Sequence, residues 1–224
     1  MEQLTPTQNL AIDLLILAFD EEHSTVRVYA PIRTNEFLQN QRALPGILLK
    51  PHESIQHSVS RTISTKTPID VENLSTFIIQ ELPAQTNPER DPRGHVVSIP
   101  ILVFTSVDLA KEDTANWLEF KPGLDLAFDH TNMINLAYDT IAKYLKQSPL
   151  PLLLANNTLT LDQTKHLIAH FDESFKTVSP SNFKRMFPVE HFLVESDYRP
   201  ETLQKGRQPK YYRVKKESIA PIFR

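Results

Sequence analysis

The stretch LPGILLKPHESIQHSVSRTISTKTPI, Leu44 to Ile69, decides the fold. Its first part is short and apolar, and Ile47–Leu49 predicts a strand. From Glu53 to Lys66 the residues Ile55, Val59 and Ile63 recur every four positions, one stripe of an amphipathic helix. That helix is rich in serine and threonine, whose helix propensity is mediocre, so packing must hold it. The flanks supply the sheet to pack on. Residues 10–19 form an apolar run of strand length, Glu21–Ser24 a polar turn, and Thr25–Pro31 alternates Val26, Val28 and Ala30 with polar residues, which predicts a hairpin. Leu74–Leu82 and Val96–Thr105 read as strands separated by a polar loop at Pro83–Gly94. Pro100 marks the second as an edge strand or a bulge. Trp117–Phe120 is a short apolar patch. Asp129 to Lys146 is a helix with Met133, Leu136, Ala137, Ile141 and Leu145 on one face. Strands with helices on both sides, in this order, predict an α/β/α sandwich.

Ser148–Pro151 is a candidate boundary, dividing the chain into residues 1–148 and 152–224. Beyond it the pattern changes. Thr160 to Gln163 is a capping box that opens a helix with Leu167, Ile168 and Phe171 inside. Ser179-Pro180 predicts an N-cap followed by proline in the first turn of a second helix. Phe183, Met186 and Phe187 form its inner stripe, and Ser181, Asn182, Lys184 and Arg185 its outer face. Pro188 ends or kinks it. Val189–Glu195 is a strand candidate, Ser196–Pro209 a loop and Lys210–Val214 a second strand. This layout is that of a winged helix-turn-helix.

Composition narrows the class. The chain has 224 residues, 40% of them hydrophobic, which supports a packed core. It has no cysteine, so no disulfide and no thiolate metal site, as suits a reducing cytoplasm. No stretch has the order of a signal peptide, and Ala11–Phe19 is too short to span a bilayer. The net charge of -3 divides unevenly: residues 1–150 carry -7 and residues 151–224 carry +4. Between Arg199 and Lys216 basic residues dominate, with Glu201 the one acid. A basic tail on an acidic body suggests different partners for the two parts. Asn and Arg are types that read adenine and guanine; Ser181, Asn182 and Arg185 are placed for base or phosphate contacts, and Lys184 suits phosphate. Lys205, Arg207, Gln208 and Lys210 surround a glycine turn as a DNA-contacting wing would.

The 44–69 stretch resembles the Nudix hydrolase box, G-x5-E-x7-R-E-U-x-E-E-x-G-U, where U is bulky and aliphatic. Glu53, Arg61, Ile63 and Ile69 fall on their expected positions. Ile47 and Pro68 replace the glycines, and Thr62, Thr65 and Lys66 replace three glutamates. The resemblance implies magnesium-dependent pyrophosphate hydrolysis in intact boxes. Magnesium needs carboxylates and substrate phosphates around it, and here one box carboxylate remains, with Lys66 adding positive charge. The expectation is a retained fold with no catalytic residues, no metal and no cofactor.

Taken over nearly its whole length, the chain resembles the Nudix-related transcriptional regulator family. Phe37 with Ala43–Gly46, Arg90–Gly94, Leu126–His130, Leu159–Leu161, Asn182–Arg185 and Gly206–Arg213 carry the likeness in order. It implies a homodimeric repressor that binds a palindromic double-stranded DNA operator and releases it on sensing ADP-ribose or a related phosphorylated sugar. Such regulators tend to control genes of NAD or sugar metabolism. An anionic ligand needs cations, so Arg33, Arg42, Arg61 and Arg93, with Glu53 and His95, are the candidate ligand residues. Arg61 has a structural alternative, pairing with Glu53. His95 and His130 have one too, each as a surface or satisfied histidine. Two other classes remain: an ADP-ribose pyrophosphatase with unusual metal ligands, and a protein-interaction scaffold.

Overall fold

The computed structural model describes residues 9–34, 37–70, 78–105, 109, 114–155, 158–198 and 208–219. Strand β1 (Asn9–Asp20) is the axis, buried from Ala11 onward. It pairs in parallel with β5 (Val96–Phe104). Its other edge is shared by β2 (Thr25–Tyr29), with Leu17 opposite Val28, and β3 (Gly46–Leu48), with Ile12 opposite Ile47. Both of these pairings are antiparallel, and the first is the predicted hairpin. β4 (Ile78–Glu81) and β6 (Trp117–Glu119) complete a six-stranded sheet of order β4-β5-β1-β2-β6.

A strand covered on both faces must be apolar on both, which explains the unbroken run at 14–19. Ile12, Leu14, Ile16 and Ala18 face α1 (Ile55–Lys66) and pack with Val59 and Ile63. Leu15, Leu17 and Phe19 face α2 (His130–Tyr144), with Met133, Ala137 and Ile141. The serine-rich α1 is tolerated because its hydroxyls bond inward. Ser58, Thr62 and Thr65 donate to the carbonyls of Ser54, Ser58 and Arg61 one turn back, and Ser54 caps the helix by accepting from the His57 amide.

Pro100 lies in an interior strand and not at an edge, but the bulge alternative is met: three residues, 82–84, stand opposite Ile99 and Pro100. The Pro100 carbonyl accepts from the Leu82 amide at 2.9 Å, but proline has no N–H to return. Pairing of β4 accordingly stops at Glu81–Ile101 and resumes as an isolated bridge between Gln85 and Ser98. The start of the predicted strand, Leu74–Phe77, lies outside the described residues.

The C-terminal part contains β7 (Leu159–Thr160), α3 (Leu161–Ala169), α4 (Pro180–Met186), α5 (Val189–Phe192), β8 (Leu193–Ser196) and β9 (Tyr211–Val214). The last strand lies between the other two in a three-stranded sheet. The capping box of α3 is complete, and Ser179 caps α4 with Pro180 in its first turn. Pro188 ends α4 as expected, but Val189–Phe192 is a short helix rather than a strand. The His191 amide bonds back to the Pro188 carbonyl, and the turn swings Phe192 against Phe187 at 5.9 Å. Phe175, Phe183, Phe187 and Phe192 form this unit's aromatic core, while Met186 is 41% exposed instead of buried. The predicted boundary is no exposed linker. Leu150–Leu154 is a buried 3-10 turn, and one hydrophobic cluster runs from Leu15 through Leu152 to Phe183. Among the described residues no helix is long and apolar enough to cross a membrane.

Candidate functional sites

A cleft of about 510 Å³ opens where β1, β3, the end of α1 and the loop before β5 converge. Its floor is ionic. Asp13, on the α2 side of β1, is buried and accepts from Ser98 Oγ at 2.6 Å and Arg90 Nη2 at 3.2 Å. Arg90 also forks onto both oxygens of Asp129, at 2.8 and 2.7 Å. His130 Nδ1 accepts from the Leu44 amide at 3.0 Å, so its hydrogen belongs on Nε2, which faces Asp13 Oδ1 at 3.5 Å. Burial alone would raise the Asp13 carboxyl; His130, Ser98 and Arg90 together hold it below the ordinary aspartate value. Gly46 makes this approach possible. A Cβ there would sit 2.0 Å from Asp13 Oδ1 and 2.9 Å from the Ile12 carbonyl.

The mouth is cationic and aromatic. The Arg33 and Arg93 guanidinium carbons lie 4.9 and 5.1 Å from the centre of the Phe128 ring, within cation–π range. Phe37 stacks on Phe128 at 6.2 Å. Phe128 has φ 59°, a left-handed conformation costly for a bulky side chain, of the kind found at ligand clamps. Arg93 forks onto Asp91 and so holds that carboxyl low. Burial and then Arg93 repulsion lower the Arg33 pKa.

Arg33, Arg61 and Arg93 line the cleft; Arg42, Glu53 and His95 do not. Arg42 spends its guanidinium on the carbonyls of Ala30 and Ala115. His95 is exposed. Arg61 pairs with Glu53 through two bonds, at 2.6 and 2.5 Å, and also reaches the Leu48 carbonyl. These bonds, with one from the Lys50 amide, bring the Glu53 carboxyl down to about 2. The structural alternatives for Arg61 and His130 therefore describe their contacts.

A divalent metal needs several unspent carboxylates. Glu53, Asp13 and Asp91 are each occupied by a guanidinium, Thr62 and Thr65 turn their hydroxyls into the helix, and Lys66 lines the cleft. Among the described residues no group of three or more His, Cys, Asp or Glu side chains is placed to hold a metal ion. The residues present do not fit a magnesium site.

Sequence reasoning missed Asp13, Arg90, Phe37 and Phe128 as parts of this site. A single carboxylate inside an otherwise apolar buried strand was the available signal for Asp13. Arg90 and Phe128 lie within segments that carried the family likeness, but pattern alone does not aim their side chains.

The second candidate site is the outer face of α4. Ser181, Asn182 and Arg185 are exposed. Lys184 is exposed as well, and its ammonium donates to the Tyr212 hydroxyl at 3.2 Å. Lys210 pairs with Glu195 across the sheet, and Gln208 is partly buried. Lys205 and Arg207 lie outside the described residues. The N-terminal and C-terminal parts of the chain are joined by packing around His170 at the end of α3. Its Nε2 meets the Phe120 carbonyl at 2.5 Å, its Nδ1 meets Thr25 Oγ1 at 3.3 Å, and its own carbonyl accepts from Tyr138 at 2.6 Å.

Comparison with known proteins places this architecture. No protein-family profile matches the chain. The ADPR responsive transcriptional repressor NtrR of Acinetobacter baylyi is 23% identical over 173 residues, 72% of this chain and 66% of that protein. An ADP-ribose pyrophosphatase of Methanocaldococcus jannaschii is 33% identical over 108 residues, 48% of this chain and 57% of the enzyme. The chain thus spans just under two-thirds of the length of the first and little over half of the second. The crystal structure of Shewanella oneidensis NrtR complexed with a 27mer DNA superposes with a TM-score of 0.74 at 20% identity, over 94% of this chain and 95% of that one. At that identity the match speaks for the fold. The chain thus shares the fold of that structure over nearly its whole length, an α/β/α sandwich leading into a winged helix.

Proposed function

We propose that this protein is a ligand-responsive transcriptional regulator in which residues 1–148 sense a phosphorylated sugar and residues 152–224 bind duplex DNA. One observation carries the reading: a cationic cleft whose carboxylates are already paired shares a chain, and a continuous core, with a winged helix that exposes Ser181, Asn182 and Arg185. The cleft is suited to bind an anion and poorly suited to hydrolyse it. The helix face offers the residue types that read base edges and phosphates. The name of the A. baylyi relative points to ADP-ribose as effector. A homodimer would give the two-fold symmetry that a palindromic operator requires.

The two activities are linked. If ADP-ribose favours a shape in which the α4 helices no longer match the half-site spacing, DNA must weaken ADP-ribose binding by the same factor. The test is selection of bound duplexes from fragmented genomic DNA, followed by gel shift with and without ADP-ribose. Salt-sensitive binding to a palindrome, relieved by the ligand, is expected. Absence of duplex binding at low salt would overturn the proposal.

The likeness to the M. jannaschii enzyme supports a second reading, an ADP-ribose pyrophosphatase. Incubation with ADP-ribose and magnesium separates the two, since release of AMP at an enzymatic rate would favour hydrolysis. The occupied state of Glu53 supports the first.

A further inference from the structure

The cleft has a second lobe of similar size, about 510 Å³, lined by Tyr29, Ile32, Thr34 and Thr67. The two lobes share Arg33, Leu44, Gly46, Thr65 and Lys66, which therefore form the seam between them. The positive charge of the first lobe is largely spent: Arg61 on Glu53, Arg93 on Asp91, and Arg90 on Asp129 and Asp13. The seam differs. Arg33 Nη2 is buried and bonds nothing among the described residues. Lys66 is exposed and has no carboxylate partner among them. Arg33 also donates its Nε to the Phe37 carbonyl at 3.2 Å, so its Nη2 and the Lys66 ammonium are the cationic groups with bonds left to give where the two concavities meet.

That arrangement suits a molecule with two bulky arms and an anionic link, one arm per lobe and the link at the seam. Lys66 also stands at a box position where a magnesium-binding glutamate is expected, and the remaining carboxylates do not fit the metal. We propose that the Lys66 ammonium, with Arg33, takes the place of the divalent ion in holding the link, so that the chain binds a two-armed diphosphate ester without magnesium. This rests on the effector reading above. Lys66 also lies in the last turn of α1, where a cation complements the helix dipole without any ligand. Ligand affinity, and not stability, is therefore the discriminating readout.

Calorimetric titration of the full chain with ADP-ribose tests it, in EDTA and then in magnesium. The affinity is expected to be the same in both, and ribose 5-phosphate, which fills one lobe, to bind more weakly. Lys66→Met should weaken ADP-ribose binding about tenfold, the size of one charge-assisted hydrogen bond. Lys66→Arg should recover most of the loss, and the melting temperatures of both variants should show that they fold. Binding that requires magnesium, or a Lys66→Met protein that binds as the parent does, overturns the proposal while leaving the effector reading in place. No binding in either condition removes both.

Discussion

Replacing Asp13 with asparagine removes one charge from the floor of the cleft while preserving its shape, so its cost can be worked out. In the parent the carboxylate accepts from Ser98 and Arg90, and His130 Nε2 points at its other oxygen. Asparagine retains one acceptor and presents an N–H2 to Arg90 or to His130, donor against donor. Breaking a buried pair outright costs about 3–5 kcal/mol. Here Arg90 keeps both bonds to Asp129, so about 2–3 kcal/mol is expected, scaled from the same principle. Urea unfolding should show a lower midpoint with an unchanged slope. The pH dependence supplies a second check. The folded pKa of Asp13 lies below its unfolded value, so the stabilisation is complete above the ordinary 3.8 and is lost as pH falls through the lower folded pKa. The gap between parent and variant should be constant near neutrality and close below about pH 4. A loss under about 1 kcal/mol at neutral pH would refute the view that this network is closed around Asp13.

Further outcomes are expected. Gly46→Ala forces a Cβ into a backbone carbonyl and a carboxylate held by three partners; it should destabilise by about 3 kcal/mol or more, measured by the same unfolding curves. Arg185→Ala should weaken operator binding and, if Arg185 neutralises a phosphate, flatten the log–log salt slope by about 0.9, while calorimetry shows ADP-ribose binding intact. His170 is kept from protonating mainly by burial, so its folded pKa lies below the unfolded one. Stability from this joint is full above the ordinary imidazole value of 6.5 and falls as pH drops through the folded pKa. His170→Gln should flatten that pH dependence in thermal melts.

Much of the fold was legible because periodicity records burial directly. The every-fourth-residue stripe of α1, the alternation in β2 and the capping box at Thr160 each reflect a local constraint that the structure satisfies. Errors arose where tertiary context decided. Pro100 sits in an interior strand and not an edge one, although the bulge half of its expectation holds because the neighbouring ladder slips by one residue there. Val189–Phe192 coils because a ring must reach Phe187, a demand no local pattern carries. The site was legible in part for the same reason. Residue type nominated the arginines, but which of them stay available depends on partners distant in sequence, such as Asp129 for Arg90 and Ala115 for Arg42.

The buried turn at Leu150–Leu154 has a consequence for how the halves can be handled. A protease or a gene designer seeking to separate the two halves there would lay bare five consecutive greasy residues on one fragment and strip the sheet of the other. Neither piece would be expected to stay in solution by itself. Heating the intact molecule should give one calorimetric peak instead of two, because the two halves share a single fate on melting.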